Sequence, residues 1–260
     1  MSSTKYNYNK LADKHVLILG ATSGLGFAVA KACLAQSARI TISSSSSRRI
    51  EKTIQTLISE FPDATDSVKG YSCDLSRDSA EDEIETLFSQ VGVVDHIVYT
   101  AADALSLMPL QDITRERIIA GAQIRLIAPI LVAKIGCRYL TPGPESSFTL
   151  TSGGISERPS ENWTIVAAIM GGVNSVMRNL ALELKPIRVN AVSPGLVDTE
   201  MWDATFEKEA KDVAFRALGE KHLTGRVASA DEVAEAYVYL MKDSNVTGRV
   251  ISSDSGSGIV

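Results

Sequence analysis

The segment Gly20-Ala-Thr-Ser-Gly-Leu-Gly26 spaces three glycines as GxxxGxG. It follows the apolar run "HVLILG" (15–20) and opens the helical pattern "GLGFAVAKACLAQ" (24–36). Glycine permits positive φ and close approach of a ligand to the backbone, and a helix N-terminus offers free N–H groups to an anion. Between a first strand and a first helix, such a turn is expected to hold a nucleotide phosphate. Thr22, Ser23, Gly24 and Leu25 would then make contacts beside Gly20 and Gly26. The alternative is a tight turn with no ligand.

The second apolar run ends in Ser43 to Ser47, followed by Arg48 and Arg49. An acid at such a strand end would bond a ribose 2′-hydroxyl and select NAD(H). Ser43, Ser44 and Ser45 with Arg48 suit a 2′-phosphate instead, which points to NADP(H). The alternative is that the two arginines form a solvated first helical turn. Asp74, followed by Leu75, ends the third run and is placed to bond an adenine amino group or to cap the next helix.

The loop "SGGISERPSENWT" (152–164) supplies Ser152, Glu157, Arg158, Glu161 and Trp163. A tryptophan there can hold a flat or cationic substrate, worth about 0.5–2 kcal/mol by stacking and cation–π attraction. Glu161 could pair with such a cation. The plain alternatives are packing for Trp163 and solvated charges for Glu157 and Glu161. Arg125, in "QIRLIAP", lies in a long apolar helical stretch. An unpaired guanidinium there would be costly, so an anion or carbonyl partner is expected.

Behind these residues, short apolar runs alternate with amphipathic stretches of helical length. Strands are predicted at 15–20, 38–43, 68–73, 95–100, 147–152, 187–193 and 248–254, with helices at 24–36, 48–61, 80–91, about 112–139 and about 163–184. Strands that are apolar throughout and separated by helices imply a parallel sheet covered on both faces. The expected fold is a single α/β, doubly wound domain over residues 11–260, behind a flexible N-terminus at 1–10. The polar segment 198–229, helical in part, reads as a mobile lid.

The bulk properties exclude several functions. A net charge of −5 without a basic run argues against nucleic acid. Cys33, Cys73 and Cys137 are widely spaced and read as reduced core residues. His15, His96 and His222 are isolated, so no metal is expected. The N-terminus has no apolar h-region and no window approaches a membrane span, so the expected place is the cytosol.

The glycine turn, "CDL" at 73–75, "YTAADA" at 99–104, "RVNAVSPGLVDT" at 188–199 and "TGRVISSDSGSG" at 247–258 together resemble the short-chain dehydrogenase/reductase family over nearly the whole chain. The resemblance implies a seven-stranded Rossmann-type sheet, a small-molecule substrate and frequent homotetramers. It implies cofactor contacts from Thr100, Ala101 and Ala102, and from Pro194, Gly195, Val197 and Thr199, with the last two at the nicotinamide. The family's catalytic residues are Asn, Ser, Tyr and Lys. In the same register this chain has Arg125, Gly153 (with Ser152 one residue off), Val166 and Met170. Val and Met cannot donate the proton that ketone reduction requires. An iminium ion already carries its charge, accepts hydride and becomes a neutral amine without an acid. The missing Tyr–Lys pair, the arginine and the nearby Trp163 are also similar to fungal indole-alkaloid iminium reductases with Diels–Alderase activity. That type has an acidic residue three before the Trp, where this chain has Ser160. The reading is an NADP(H)-dependent reductase of an iminium or activated acceptor, with Arg125, Glu161, Trp163 and Ser152 at the reacting centre. The alternatives are a redox-silent cyclase or isomerase in the same pocket, and a non-catalytic nucleotide binder.

Overall fold

A computed structural model describes residues 8–203 and 207–260. Most of the N-terminal segment 1–10, and positions 204–206 of the expected lid, lie outside the described residues. In chain order the described elements are β1 (His15–Leu19), α1 (Gly24–Ala35), β2 (Arg39–Ser44), α2 (Ser47–Glu60), β3 (Val68–Ser72), α3 (Ala80–Val91) and β4 (His96–Tyr99). Then come α4 (Arg115–Ala122), α5 (Ala128–Gly136), β5 (Ser147–Thr151), α6 (Thr164–Glu183), β6 (Arg188–Pro194) and β7 (Val197–Asp198). The chain continues through α7 (Lys208–Gly219), β8 (Ala228–Ser229) and α8 (Ala230–Lys242) to β9 (Val250–Ser253).

Seven strands form one parallel sheet in the order β3-β2-β1-β4-β5-β6-β9. Successive strand side chains point to opposite faces, so a strand buried on both sides must be apolar at every position. In β1, Val16 and Ile18 join a core with α1, α2 and α8, while Leu17 and Leu19 join a second core with α3, α5 and α6. Each such fully buried aliphatic side chain stabilises the fold by about 1.5–3 kcal/mol. The expected doubly wound, Rossmann-type sheet is therefore present, and each of the seven expected strands is found within two residues of its expected ends.

Three features go beyond the expectation. First, α8 was not anticipated, although Ser229-Ala-Asp-Glu232 forms a complete capping box at its start. Second, β7 and β8 pair through Val197↔Ala228 and Asp198↔Ser229, joining the two ends of the segment 198–229. Third, the long helix at 115–136 is interrupted by a wider π-type turn at Gln123–Ile127. Pro129 explains it. Its ring cannot donate to the carbonyl of Arg125, four residues earlier, and would collide with it in a regular helix.

The expectation that no window approaches a membrane span needs correction. Arg115–Gly136 and Thr164–Glu183 have mean hydropathies of 1.8 and 1.4 and are long enough to qualify. Both are layer helices packed against the sheet and its other helices, with buried residues in the second core, which accounts for their apolar character.

Candidate active site

The carboxyl ends of the strands open into a cleft of about 720 Å³. It lies over β1 and β4, where strand order reverses direction along the sheet. The glycine turn forms its floor. Gly20 has φ +91°, and a Cβ there would stand 2.4 Å from the backbone nitrogen of Ala101. A Cβ on Gly26 would stand 2.3 Å from the carbonyl oxygen of Gly20 and 2.5 Å from Thr100 Oγ1. Gly26 therefore seats α1 against β1 and does not line the cleft. Thr22, Ser23, Gly24 and Leu25 do line it.

Beside the turn, Ser43, Ser44 and Ser45 reach the cleft from the end of β2. Thr22 Oγ1 donates to Ser44 Oγ at 3.2 Å. One arginine converges on these hydroxyls, and it is Arg49: its Nη2 donates to Ser44 Oγ at 3.2 Å and Ser45 Oγ at 2.9 Å. Arg48, the residue expected there, is exposed and outside the cleft. The two are adjacent in the first turn of α2, so only one can face the strand end.

Asp74 and Leu75 line the same side. Asp74 Oδ1 accepts from the backbone N–H and hydroxyl of Ser76, and Oδ2 pairs with Arg77 Nε at 2.9 Å. The Ser76 bonds, followed by Arg77, hold the Asp74 carboxyl below its usual range despite some burial. It does not cap α3, whose N-cap is Ser79. Cys73 lies behind it, its thiol pushed up to about 12 by burial. All three cysteines are free thiols, and among the described residues no cluster of His, Cys, Asp and Glu could hold a metal.

Across the cleft, Thr100, Ala101 and Ala102 follow β4, Pro194 ends β6, and Gly195, Val197 and Thr199 come after it. The Thr100 hydroxyl is spent on the carbonyls of Leu19 and Gly20, at 3.0 and 3.3 Å.

At the far end stands Arg125, on the π-type turn. The extra residue makes Ala128 N–H reach back to Gln123 O and bypass Ile124 O. The buried Tyr99 hydroxyl fills that vacant acceptor at 2.5 Å. Arg125 Nε donates to Asp103 Oδ1 at 3.0 Å, and an Nη donates to the Asp103 carbonyl. The Arg125 side chain is 11% exposed. Burial pulls its pKa below the usual arginine range and Asp103 opposes that shift. The expected anion and carbonyl partner is thus one residue, Asp103, which sequence reasoning had not named.

The α6 wall offers Val166 and Met170, one helical turn apart and both buried. Gly153 packs opposite, with its Cβ position 3.7 Å from Met170 Sδ. Ser152 is buried and its hydroxyl donates to the Met170 carbonyl at 3.4 Å. Trp163, the N-cap residue of α6, lines the cleft and packs on the second core. Glu157 and Arg158 line it too, and Arg158 donates to the carbonyl of Ser257. Glu161 is corrected: it is exposed on the loop and outside the cleft. Among the described residues, no Lys, Tyr or His lines this cleft.

Known proteins share this architecture. The model of the SDR-like Rossmann domain matches residues 7–260. The chain is 37% identical over 262 residues to "Short-chain dehydrogenase/reductase fsr5" of Gibberella fujikuroi, covering 99% of each chain. It superimposes on the structure of the MalC reductase/Diels-Alderase from Malbranchea aurantiaca with a TM-score of 0.89 at 38% identity, over 96% of this chain and 98% of that one. A small-chain dehydrogenase in complex with NADPH matches with a TM-score of 0.78 at 27% identity, over 95% and 100% of the two chains. A matched model spanning nearly every residue, together with relatives above 30% identity, settles the family: this chain is a member of the short-chain dehydrogenase/reductases.

Proposed function

We propose that the chain is an NADP(H)-dependent reductase that delivers hydride to an iminium or similarly activated acceptor in secondary metabolism. The observation that carries this reading is the composition of the acceptor end. Val166 and Met170 wall it, Trp163 flanks it, and its ion pair joins the largely covered Arg125 to the partly exposed Asp103.

The cofactor assignment rests on fit. Gly20, at φ +91°, lets the turn pack on the Ala101 backbone, the N-terminus of α1 lines the cleft through Ser23, Gly24 and Leu25, and Arg49 with Ser44 and Ser45 makes a cationic, hydroxyl-lined corner suited to a 2′-phosphate. When bound, NADPH supplies the hydride. The chain's own residues position the acceptor, exclude water and set the field. Val166 and Met170 cannot transfer a proton. The Ser152 hydroxyl is committed to a backbone carbonyl. Arg125 remains cationic and anchored, so it can bond an acceptor carbonyl or the cofactor without reorganising, while Trp163 presents a face to a flat cation. Hydride addition then converts the iminium carbon to a neutral amine, and no general acid is needed.

The test is NADPH oxidation with a synthetic cyclic iminium, such as a dihydroisoquinolinium, against a panel of ketones and aldehydes. The reading expects turnover on the iminium and little on the carbonyls. Equal turnover on ketones, or none on any acceptor, overturns it.

A second reading is a cyclase step in the same pocket, favoured by the similarity to a protein named a reductase/Diels-Alderase. Against it, Ser160 stands exposed and outside the cleft, so that position contributes no acid. Cyclisation without added cofactor would support this second reading. We further propose a cytosolic homo-oligomer built on the α4–α5 face, where Ile118, Ile119, Ile127 and Ile130 are exposed. Sedimentation would show a dimer or tetramer.

A further inference from the structure

The glycine turn is in contact with an anion that belongs to the chain itself. Glu200 Oε2 accepts the backbone N–H of Gly24, the first residue of α1, at 2.9 Å. The preceding residue packs there too: Thr199 Cγ2 lies 3.4 Å, and Glu200 Oε2 3.7 Å, from the Cβ position of Gly24. The helix is short of other counter-charge. Its N-cap Ser23 makes no side-chain cap bond, and its first turn carries no acidic residue. The positive end of a 12-residue helix is therefore met by a carboxylate from 176 residues away.

The backbone around Glu200 is pinned. Lys211 Nζ binds the Thr199 carbonyl at 3.1 Å, Asp198 at 2.9 Å and Asp203 at 2.8 Å. Trp202 Nε1 donates to the carbonyl of Val197 at 3.1 Å. These bonds hold Glu200 at the mouth of the turn and leave its side chain as the part free to rotate.

A carboxylate and a phosphate seek the same N–H groups and repel each other at that range. We propose that Glu200 is a built-in competitor for the diphosphate of the dinucleotide. Its carboxylate sits on the α1 N-terminus, binding of the diphosphate expels it by side-chain rotation, and Glu200 thereby weakens cofactor binding and speeds release. This rests on the assignment of the cleft to NADP(H).

The experiment is a fluorescence titration with NADPH and NADP+ on the wild type, Glu200→Gln and Glu200→Ala. Glu235→Gln on the exposed side of α8 controls for net charge. Both Glu200 variants are expected to bind the dinucleotides about three- to tenfold more tightly, with slower release in stopped flow. Adenosine 2′-monophosphate, which has no diphosphate, should bind the wild type and the variants alike. Wild-type or weaker NADPH affinity in folded Glu200→Gln overturns the proposal. If no form binds a dinucleotide, the cofactor assignment fails on its own, and inorganic pyrophosphate decides about Glu200. Tighter pyrophosphate binding in the variants sustains the competition, and equal binding ends it.

Discussion

Asp103 grips Arg125 twice, through its carboxylate at 3.0 Å and through its own backbone carbonyl. The second contact survives any change to the Asp103 side chain, so the two partners are not equivalent. Arg125→Ala removes the fixed cation from the acceptor end and should lower kcat/KM for an iminium about 10²- to 10³-fold, the scale of losing one preorganised donor. Asp103→Asn keeps the carbonyl grip and should cost far less. Steady-state kinetics on both variants check this ordering, and an unchanged Arg125→Ala enzyme would remove the arginine from catalysis.

Cofactor choice should follow Arg49. Arg49→Ala loses charge-assisted bonds at the serine corner and should weaken NADPH by about ten- to a hundredfold while sparing NADH. Arg48→Ala should do neither. Titrating both variants with both dinucleotides checks the assignment, and the reverse pattern would restore Arg48 to the site.

These two arginines show where the sequence stops being informative. The sheet was readable because a strand buried on both faces must be apolar at every position, as β1 is from Val16 to Leu19. The glycine turn was readable because its strand–turn–helix setting is local. Which of two adjacent arginines faces the strand end depends on the phase of α2, fixed by the burial of Ile50, Thr53 and Leu57. The Asp103–Arg125 pair joins residues 22 apart through a π-type turn, and nothing local announces it beyond Pro129, four places on. Glu161 looked apt beside Trp163, but only the fold shows that the loop turns it to solvent. Helix α8 carried a legible capping box at Ser229–Glu232 that the polar segment 198–229 before it obscured.

Gly26→Ala tests the seat of α1. The new methyl would lie 2.3 Å from the Gly20 carbonyl oxygen, a backbone atom that cannot step aside. Overpacking of this kind costs about 1–3 kcal/mol. A lower Tm together with weaker NADPH binding is expected. A variant with unchanged Tm and affinity would show that the turn yields more readily than its packing implies.

Acid stability should depend on His96. Burial, then the nearby charge of Arg188, lowers its pKa from 6.5 to about 3. The unfolded chain therefore takes up this proton first. The contribution of His96 to stability is complete above about pH 6.5 and is lost as pH falls toward 3, by roughly 1 kcal/mol per pH unit from this group. Denaturant melts across that range should show the slope, and His96→Gln should flatten it.

Restoring Gly153→Ser, Val166→Tyr and Met170→Lys together asks whether only side chains separate this pocket from a carbonyl reductase. Gly153 has an extended backbone, φ −173°, and ordinary contact distance to Met170, so a serine fits there. Weak NADPH-dependent ketone reduction is expected. Its absence in a folded variant would place the difference in Arg125 and the π-type turn that carries it.

The pairing of Val197 with Ala228 and of Asp198 with Ser229 closes a ring around the excursion between them. Chain length between two fixed ends adds little entropy cost once the ends are joined, since each doubling costs only about 0.6 kcal/mol. The intervening segment can thus be lengthened, shortened or rewritten while the seven-stranded sheet keeps its register. The ring thus separates two demands: Thr199 and Glu200 at its base stay against the glycine turn, while its outer part can change in length and sequence without disturbing the sheet.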